Sequence, residues 1–83
     1  MPYQIQFSKK SKKDINQLTS QQKDKLKSIL QKLSINPYLG KPLKGYLKGL
    51  YSYRLNLKDR IVYEIIQEDQ TLFIIRARSH YGD

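Results

Sequence analysis

Apolar and polar residues alternate along residues 50–63, LYSYRLNLKDRIVY, and the alternation breaks once, at residues 56–59. This predicts two antiparallel strands, about 50–56 and 60–66, joined by a turn. Tyr51, Tyr53 and Leu55 fall on one face of the first strand, with Ser52 and Arg54 on the other. In the second strand Ile61, Tyr63 and Ile65 alternate with Arg60, Val62 and Glu64. A further turn at 68–70 leads to a third strand over 71–78. Its continuous apolar run, Leu72, Phe73, Ile74 and Ile75, is expected of a strand buried on both faces. Arg76 and Arg78 then stand on the same side of it, and His80, the single histidine of the chain, follows its end.

The N-terminal half changes period. Tyr3, Ile5 and Phe7 alternate with Gln4 and Gln6, a short half-buried strand. Ser8 offers a helix N-cap for KKSKKDINQL, a basic surface helix whose apolar residues are Ile15 and Leu18. Thr19 and Gln22 have capping-box spacing. Behind them Leu26, Ile29, Leu30 and Leu33 follow i, i+3, i+4, i+7, one apolar stripe on an amphipathic helix, and Lys23, Lys25, Lys27 and Lys32 fall mainly outside it. Asn36-Pro37 ends that helix, because the residue before a proline is driven out of the helical region. Residues 37–49, PYLGKPLKGYLKG, read as an ordered loop with Leu39, Leu43 and Leu47 as anchors. The order is β-α-α-β-β-β. It predicts a single α+β domain over residues 1–83: two N-terminal helices packed on one face of a mostly antiparallel four-stranded sheet.

Charge adds the first functional constraint. Sixteen Lys and Arg against seven Asp and Glu give a formal net charge of +9. No carboxylate occurs between Asp24 and Asp59, while eight basic residues do: Lys25, Lys27, Lys32, Lys41, Lys44, Lys48, Arg54 and Lys58. A polyanionic partner is the natural inference. The lysines at 41, 44 and 48 are interleaved with glycines that let a backbone approach a ligand. With no cysteine and one histidine, neither a disulfide framework nor a zinc site is expected, and no metal or other cofactor is called for. No apolar run approaches the roughly 18 residues of a membrane span. The N-terminus opens on a strand pattern and not a signal peptide, so a soluble cytoplasmic protein is expected.

The residue types narrow the chemistry. No serine has a nearby His–Asp relay in the sequence, and no carboxylate pair suggests glycoside hydrolysis. What remains is Arg, Lys, His and Tyr on a basic sheet. That set suits metal-free attack of a ribose 2′-OH on the adjacent phosphate. The reaction needs a base, cations at the phosphorane oxygens and an acid at the leaving 5′-oxygen. A histidine suits the acid and arginine grips phosphate through paired hydrogen bonds.

PLKGYLKGLYSYRL, then DRIVYEI, then the terminal RARSHY resemble the RelE/ParE superfamily of toxins from bacterial type II toxin–antitoxin systems. The terminal His-Tyr most resembles the YoeB/Txe branch. The likeness covers the whole chain in length and element order. It implies a RelE-like fold and a ribosome-dependent endoribonuclease, an mRNA interferase silenced by an antitoxin. Carried over by position, Arg60 stabilises the transition state, His80 is the general acid, Tyr81 stacks on or orients the RNA, and Arg54 is a second catalytic cation. The YoeB-like glutamate base is replaced here by Lys41, so Lys41 and Lys44 stand as candidates for the base, alongside the ribosome itself. Lys44, Lys48, Arg76 and Arg78 are candidates for contacts with RNA backbone or antitoxin carboxylates. The partners implied are a cognate antitoxin, the ribosome and mRNA, with operator DNA met through the antitoxin complex and a homodimer left open. Two other readings compete: a ParE-like inhibitor of DNA gyrase, and a basic RNA-binding protein without catalysis.

Overall fold

The computed structural model describes residues 2–79. Strand β1, Gln4–Phe7, leads into helix α1, Lys9–Asn16, and helix α2, Ser20–Ile35. A 3-10 turn, Pro37–Leu39, then precedes the two-residue strand β2, Lys41–Pro42, and a second 3-10 turn, Gly45–Leu47. Strands β3, Leu50–Arg54, β4, Arg60–Ile66, and β5, Thr71–Ser79, complete the fold. The five strands lie in the order β1-β5-β4-β3-β2. Every neighbouring pair is antiparallel except β1 with β5, which is parallel.

The α+β class and the two helices agree with the sequence expectation, and the sheet has one strand more than the four expected. The extra strand is β2, in which Lys41 pairs with Ser52 and Pro42 with Tyr51. A two-residue strand carries no alternation to read, and its proline is tolerated because β2 lies at the sheet edge.

Local chemistry sets the helix boundaries. Ser8 caps α1, accepting from the Ser11 N–H at 3.0 Å, and its own hydroxyl donates to the Ile75 carbonyl at 2.7 Å. Thr19 and Gln22 form the reciprocal capping box of α2, each bond 3.1 Å. The helix stops at Ile35, before Asn36 and Pro37. The α2 stripe, Leu26, Ile29, Leu30 and Leu33, packs with Leu55, Ile61, Tyr63, Leu72 and Ile74 in one core. Burying each such side chain contributes about 1.5–3 kcal/mol. Of the three loop leucines only Leu43 is buried, while Leu39 is half exposed at 49%.

Candidate functional site

The β3–β4 hairpin places Arg54 directly opposite Arg60. Asn56 builds the turn that sets this register. Its Oδ1 accepts from the backbone N–H groups of Lys58 and Asp59, both at 2.8 Å, and its Nδ2 donates to Asp59 Oδ2 at 3.2 Å. Arg60 Nε donates to Ser52 Oγ at 3.2 Å. Ser52 is only 1% exposed, so a buried hydroxyl on β3 orients the guanidinium.

A second device fixes Lys41 in the same neighbourhood. The Tyr63 hydroxyl donates to the Pro37 carbonyl at 2.6 Å and accepts from the Gly40 N–H at 3.1 Å. Burial pushes the phenol pKa up to about 12. A Cβ on Gly40 would lie 2.3 Å from that hydroxyl oxygen, so only glycine fits there. The loop is thereby tied to the sheet one residue before Lys41, which pairs with Ser52.

The end of β5 is brought to the hairpin by two irregularities in the β4–β5 ladder. Tyr63 pairs with Ile74, Val62 with Arg76, and Arg60 with Ser79. β5 therefore carries extra residues against β4, which bends and twists it. Asp14 of α1 holds this bent end. It accepts from Arg76 Nε at 2.8 Å, from Arg76 Nη2 at 3.2 Å and from the Ala77 N–H at 3.1 Å. Burial by itself would raise the Asp14 pKa, but the hydrogen bonds from Arg76 and Ala77 and the Arg76 charge outweigh it and hold the carboxyl below its ordinary value.

The sequence-derived candidates therefore separate into groups. Arg54, Arg60 and Lys41 line one cleft of about 460 Å³ between α2 and strands β2–β4. Ser52 and Tyr53 line it too, and α2 adds Lys25 and Lys32, which lie outside its apolar stripe. Among the described residues, five cations and no carboxylate line this cleft. Lys44 and Lys48 line a different groove, with Pro42, Leu43 and Leu50. Arg76 is engaged by Asp14, and Arg78 meets Gln17 Oε1 at 3.1 Å and Asp59 Oδ2 at 3.9 Å. His80 and Tyr81 lie outside the described residues; Ser79, the residue before His80, is the ladder partner of Arg60. Among the described residues there is no group of three His, Cys, Asp or Glu that could hold a metal ion. No helix there is long and apolar enough to cross a membrane.

Chemically, converging guanidinium and ammonium groups without a competing carboxylate bind a phosphodiester and stabilise extra charge on its oxygens.

Known proteins share the sequence pattern and the fold. Residues 5–82 match the family model described as the ParE-like toxin of type II bacterial toxin–antitoxin systems. No curated protein matches the chain. Among solved structures, a chain of the toxin–antitoxin complex RelBE2 from Mycobacterium tuberculosis superposes with a TM-score of 0.85 at 29% identity, covering 94% of this chain and 98% of its own. The YoeB/ParE toxin from Agrobacterium tumefaciens gives 0.86 at 25% identity, covering 94% and 99%. The YoeB dimer from Staphylococcus aureus gives 0.82 at 28% identity, covering 98% and 100%.

Proposed function

Because the chain belongs to the ParE-like toxins of bacterial type II toxin–antitoxin systems, we propose that its target is mRNA on the ribosome and that it cuts this RNA without a metal. The observation that carries the reading is the convergence of Arg54, Arg60 and Lys41 on one cleft that no carboxylate lines among the described residues, with Lys25 and Lys32 on its helical wall. RelE- and YoeB-type neighbours support it by likeness.

In this reading Arg60, oriented by Ser52, and Arg54 bind the non-bridging oxygens of the scissile phosphate. The attacking 2′-oxygen gives its proton to a base, for which the candidate in the cleft is Lys41, a role that requires its uncharged amine form. A P–O2′ bond forms and the P–O5′ bond breaks. The leaving 5′-oxygen takes a proton from His80, the role that the sequence resemblance implies. The products are a 2′,3′-cyclic phosphate and a 5′-hydroxyl. Tyr81 orients the RNA beside that step. Lys44, Lys48 and Arg78 serve as outlying phosphate contacts; Arg78, with 45% of its side chain exposed, is better placed for this than Arg76 at 30%.

A cognate antitoxin silences the toxin in this reading, and operator DNA is reached through that complex. Solved neighbours include the YoeB–YefM complex and the RelBE complexes, which supports such a partner, and the YoeB dimer supports a homodimer. The toxin works in the cytoplasm, where its ribosomes are.

The test is incubation of the protein with programmed ribosomes, followed by primer extension and end-group analysis. The expected result is cleavage with chelator present and 5′-hydroxyl ends, lost by roughly 10²–10⁴ in His80→Gln and by about 10²–10³ in Arg60→Ala. Products with 5′-phosphate ends overturn the mechanism. RNA binding without cleavage leaves a non-catalytic RNA-binding protein. Replication stopping before translation on pulse expression favours a gyrase inhibitor.

A further inference from the structure

Tyr46 is 96% exposed, an extreme value for an aromatic side chain in a chain with a small core. It sits at the centre of the 3-10 turn Gly45–Leu47, so the turn sets its backbone and it is not part of a chain end. The turn is closed by Leu47 N–H to Lys44 O at 3.3 Å and Lys48 N–H to Gly45 O at 3.1 Å. Gly45 and Gly49, at φ 69° and 99°, bring the chain into the turn and out of it through the left-handed region that side-chain-bearing residues avoid. Below it, Leu43 is buried and its N–H bonds to Leu50 O at 2.9 Å, fixing the base of the loop. Packing does not explain Tyr46: this closed turn projects it into solvent.

We propose that Tyr46 is a base-stacking platform for single-stranded RNA, with Lys44 and Lys48 binding the phosphates on either side. The two lysines flank the ring in sequence at i−2 and i+2, and both line a groove of about 380 Å³, beside Tyr46, that Pro42, Leu43 and Leu50 also line. Among the described residues no carboxylate lines that groove, and Glu64 stands across the ladder from Leu50. An exposed ring between cations is the composition that takes an unpaired base and its backbone, since stacking uses the π-face that every base has. A protein partner using the same apolar ring would also have to supply carboxylates to both lysines; RNA supplies phosphates at each nucleotide.

The position makes this platform separate from the cleft. Leu50 and Arg54 are the two ends of β3, about 14 Å apart at roughly 3.4 Å per residue, and the turn precedes Leu50. A base on Tyr46 therefore does not touch the phosphate held by Arg54 and Arg60. The platform adds affinity and fixes the path of the strand, and it leaves the chemical step unchanged. The inference rests on the cleft reading only for its choice of RNA as the polymer.

The experiment measures two things on full-length protein. One is binding of a fluorescein-labelled single-stranded oligouridylate by anisotropy across a salt series; the other is single-turnover cleavage on programmed ribosomes. Tyr46→Ala is expected to weaken RNA binding roughly 5- to 150-fold, the equivalent of one lost stack. Tyr46→Phe should bind like the parent, because stacking needs the ring and not the hydroxyl. The salt slope should stay unchanged in Tyr46→Ala and fall in the Lys44→Ala, Lys48→Ala double variant. In cleavage, Tyr46→Ala should raise the protein concentration for half-maximal rate and leave the saturating rate intact.

Parent-like binding by Tyr46→Ala overturns the proposal while cleavage by the parent keeps the nuclease reading. Equal loss in Tyr46→Ala and Tyr46→Phe also overturns it, as does an absence of RNA binding by the parent. RNA binding that depends on Tyr46 without cleavage upholds the platform and removes the nuclease. Unchanged RNA affinity with a weakened toxin–antitoxin complex assigns Tyr46 to a protein partner and overturns the proposal.

Discussion

Arg54 and Arg60 face each other directly across the β3–β4 ladder. Like charges at opposed positions of an antiparallel pair destabilise the sheet, by about 0.2–1 kcal/mol. The fold therefore carries this pair at a cost, and the cost is consistent with use on a phosphate. Arg54→Gln is expected to move stability and activity in opposite directions. Its melting temperature should rise by a few degrees, since about 1 kcal/mol corresponds to roughly 4–8 °C in a domain of this size. Its single-turnover cleavage should fall. Thermal unfolding and primer extension on the same preparation check both, and a variant that loses stability as well as activity makes Arg54 a structural residue.

The Tyr63 hydroxyl is the hinge pin of the loop that carries Lys41. Removing it in Tyr63→Phe leaves the Pro37 carbonyl and the Gly40 N–H unpaired in a buried place. The expected cost is about 1–3 kcal/mol. The pH dependence has a definite sign. The folded phenol titrates near 12 and the free one near 10.0, so the neutral form is favoured by folding. Its stabilisation is complete below about pH 10 and is lost as pH rises toward 12. Melting temperatures from pH 8 upward should fall more steeply in the parent than in Tyr63→Phe, where this group cannot ionise. Parallel curves for the two proteins would show that Tyr63 is not the alkaline-sensitive group.

Gly40→Ala probes the same joint from the other side. The added methyl would sit 2.3 Å from the Tyr63 hydroxyl oxygen and 3.0 Å from the Ser52 carbonyl oxygen. One of those groups is backbone and the other is a buried ring, so neither yields cheaply. Overpacking of this kind costs about 1–3 kcal/mol. The loop is expected to move outward and take Lys41 from the cleft, lowering cleavage beyond the loss of folded protein. Rates normalised to the folded fraction, measured by circular dichroism, separate the two effects.

Acid should act through Asp14. Its folded carboxyl lies below the ordinary 3.8, so the contribution of the Arg76 pair is present above that value and lost as pH falls below it. Asp14→Asn removes this acid-sensitive part and releases the bent end of β5 from α1. A flatter stability profile below about pH 4, together with a lower melting temperature at neutral pH, is the expected pattern; an unchanged neutral melting temperature would remove Asp14 as the clasp.

How far the chain announces this arrangement depends on the range of the interaction. α2 was legible because cap, stripe and stop all lie within its own sequence: Thr19 with Gln22, the four apolar residues, then Asn36-Pro37. The β3–β4 hairpin was legible for the same reason, and with it the meeting of Arg54 and Arg60. β2 was not, because Lys41-Pro42 becomes a strand only by pairing with β3. The burial of Ser52 was hidden too: a polar residue alternating with Tyr51 and Tyr53 reads as solvent-facing until Lys41 and Arg60 are placed beside it. Arg76 reads as an exposed charge because its partner Asp14 is 62 residues away in sequence. Proximity in the chain groups Lys44 and Lys48 with Lys41. The 3-10 turn carries them to the far end of β3 and into another groove.

The α2 lysines give the most direct test of the cleft. Lys25 and Lys32 are two turns apart and both line it, while Lys23 and Lys27 line an apolar groove against Tyr3, Ile5 and Phe7. All four look alike in the sequence, and only the seating of the helix on the sheet distinguishes them. If the cleft takes RNA, Lys25 and Lys32 meet phosphates and release counterions on binding. Replacing both by alanine should then lower the slope of log affinity against log salt by about two, at similar cost for different RNA sequences. Replacing Lys23 and Lys27 removes the same formal charge from the same helix and should leave that slope near the parent value. Helix propensity favours alanine at all four positions, so neither double variant should unfold. Equal slopes for the two double variants would mean that α2 contributes a diffuse field and that the cleft does not hold the RNA backbone; a drop confined to Lys25 and Lys32 places the phosphates between α2 and the Arg54–Arg60 pair.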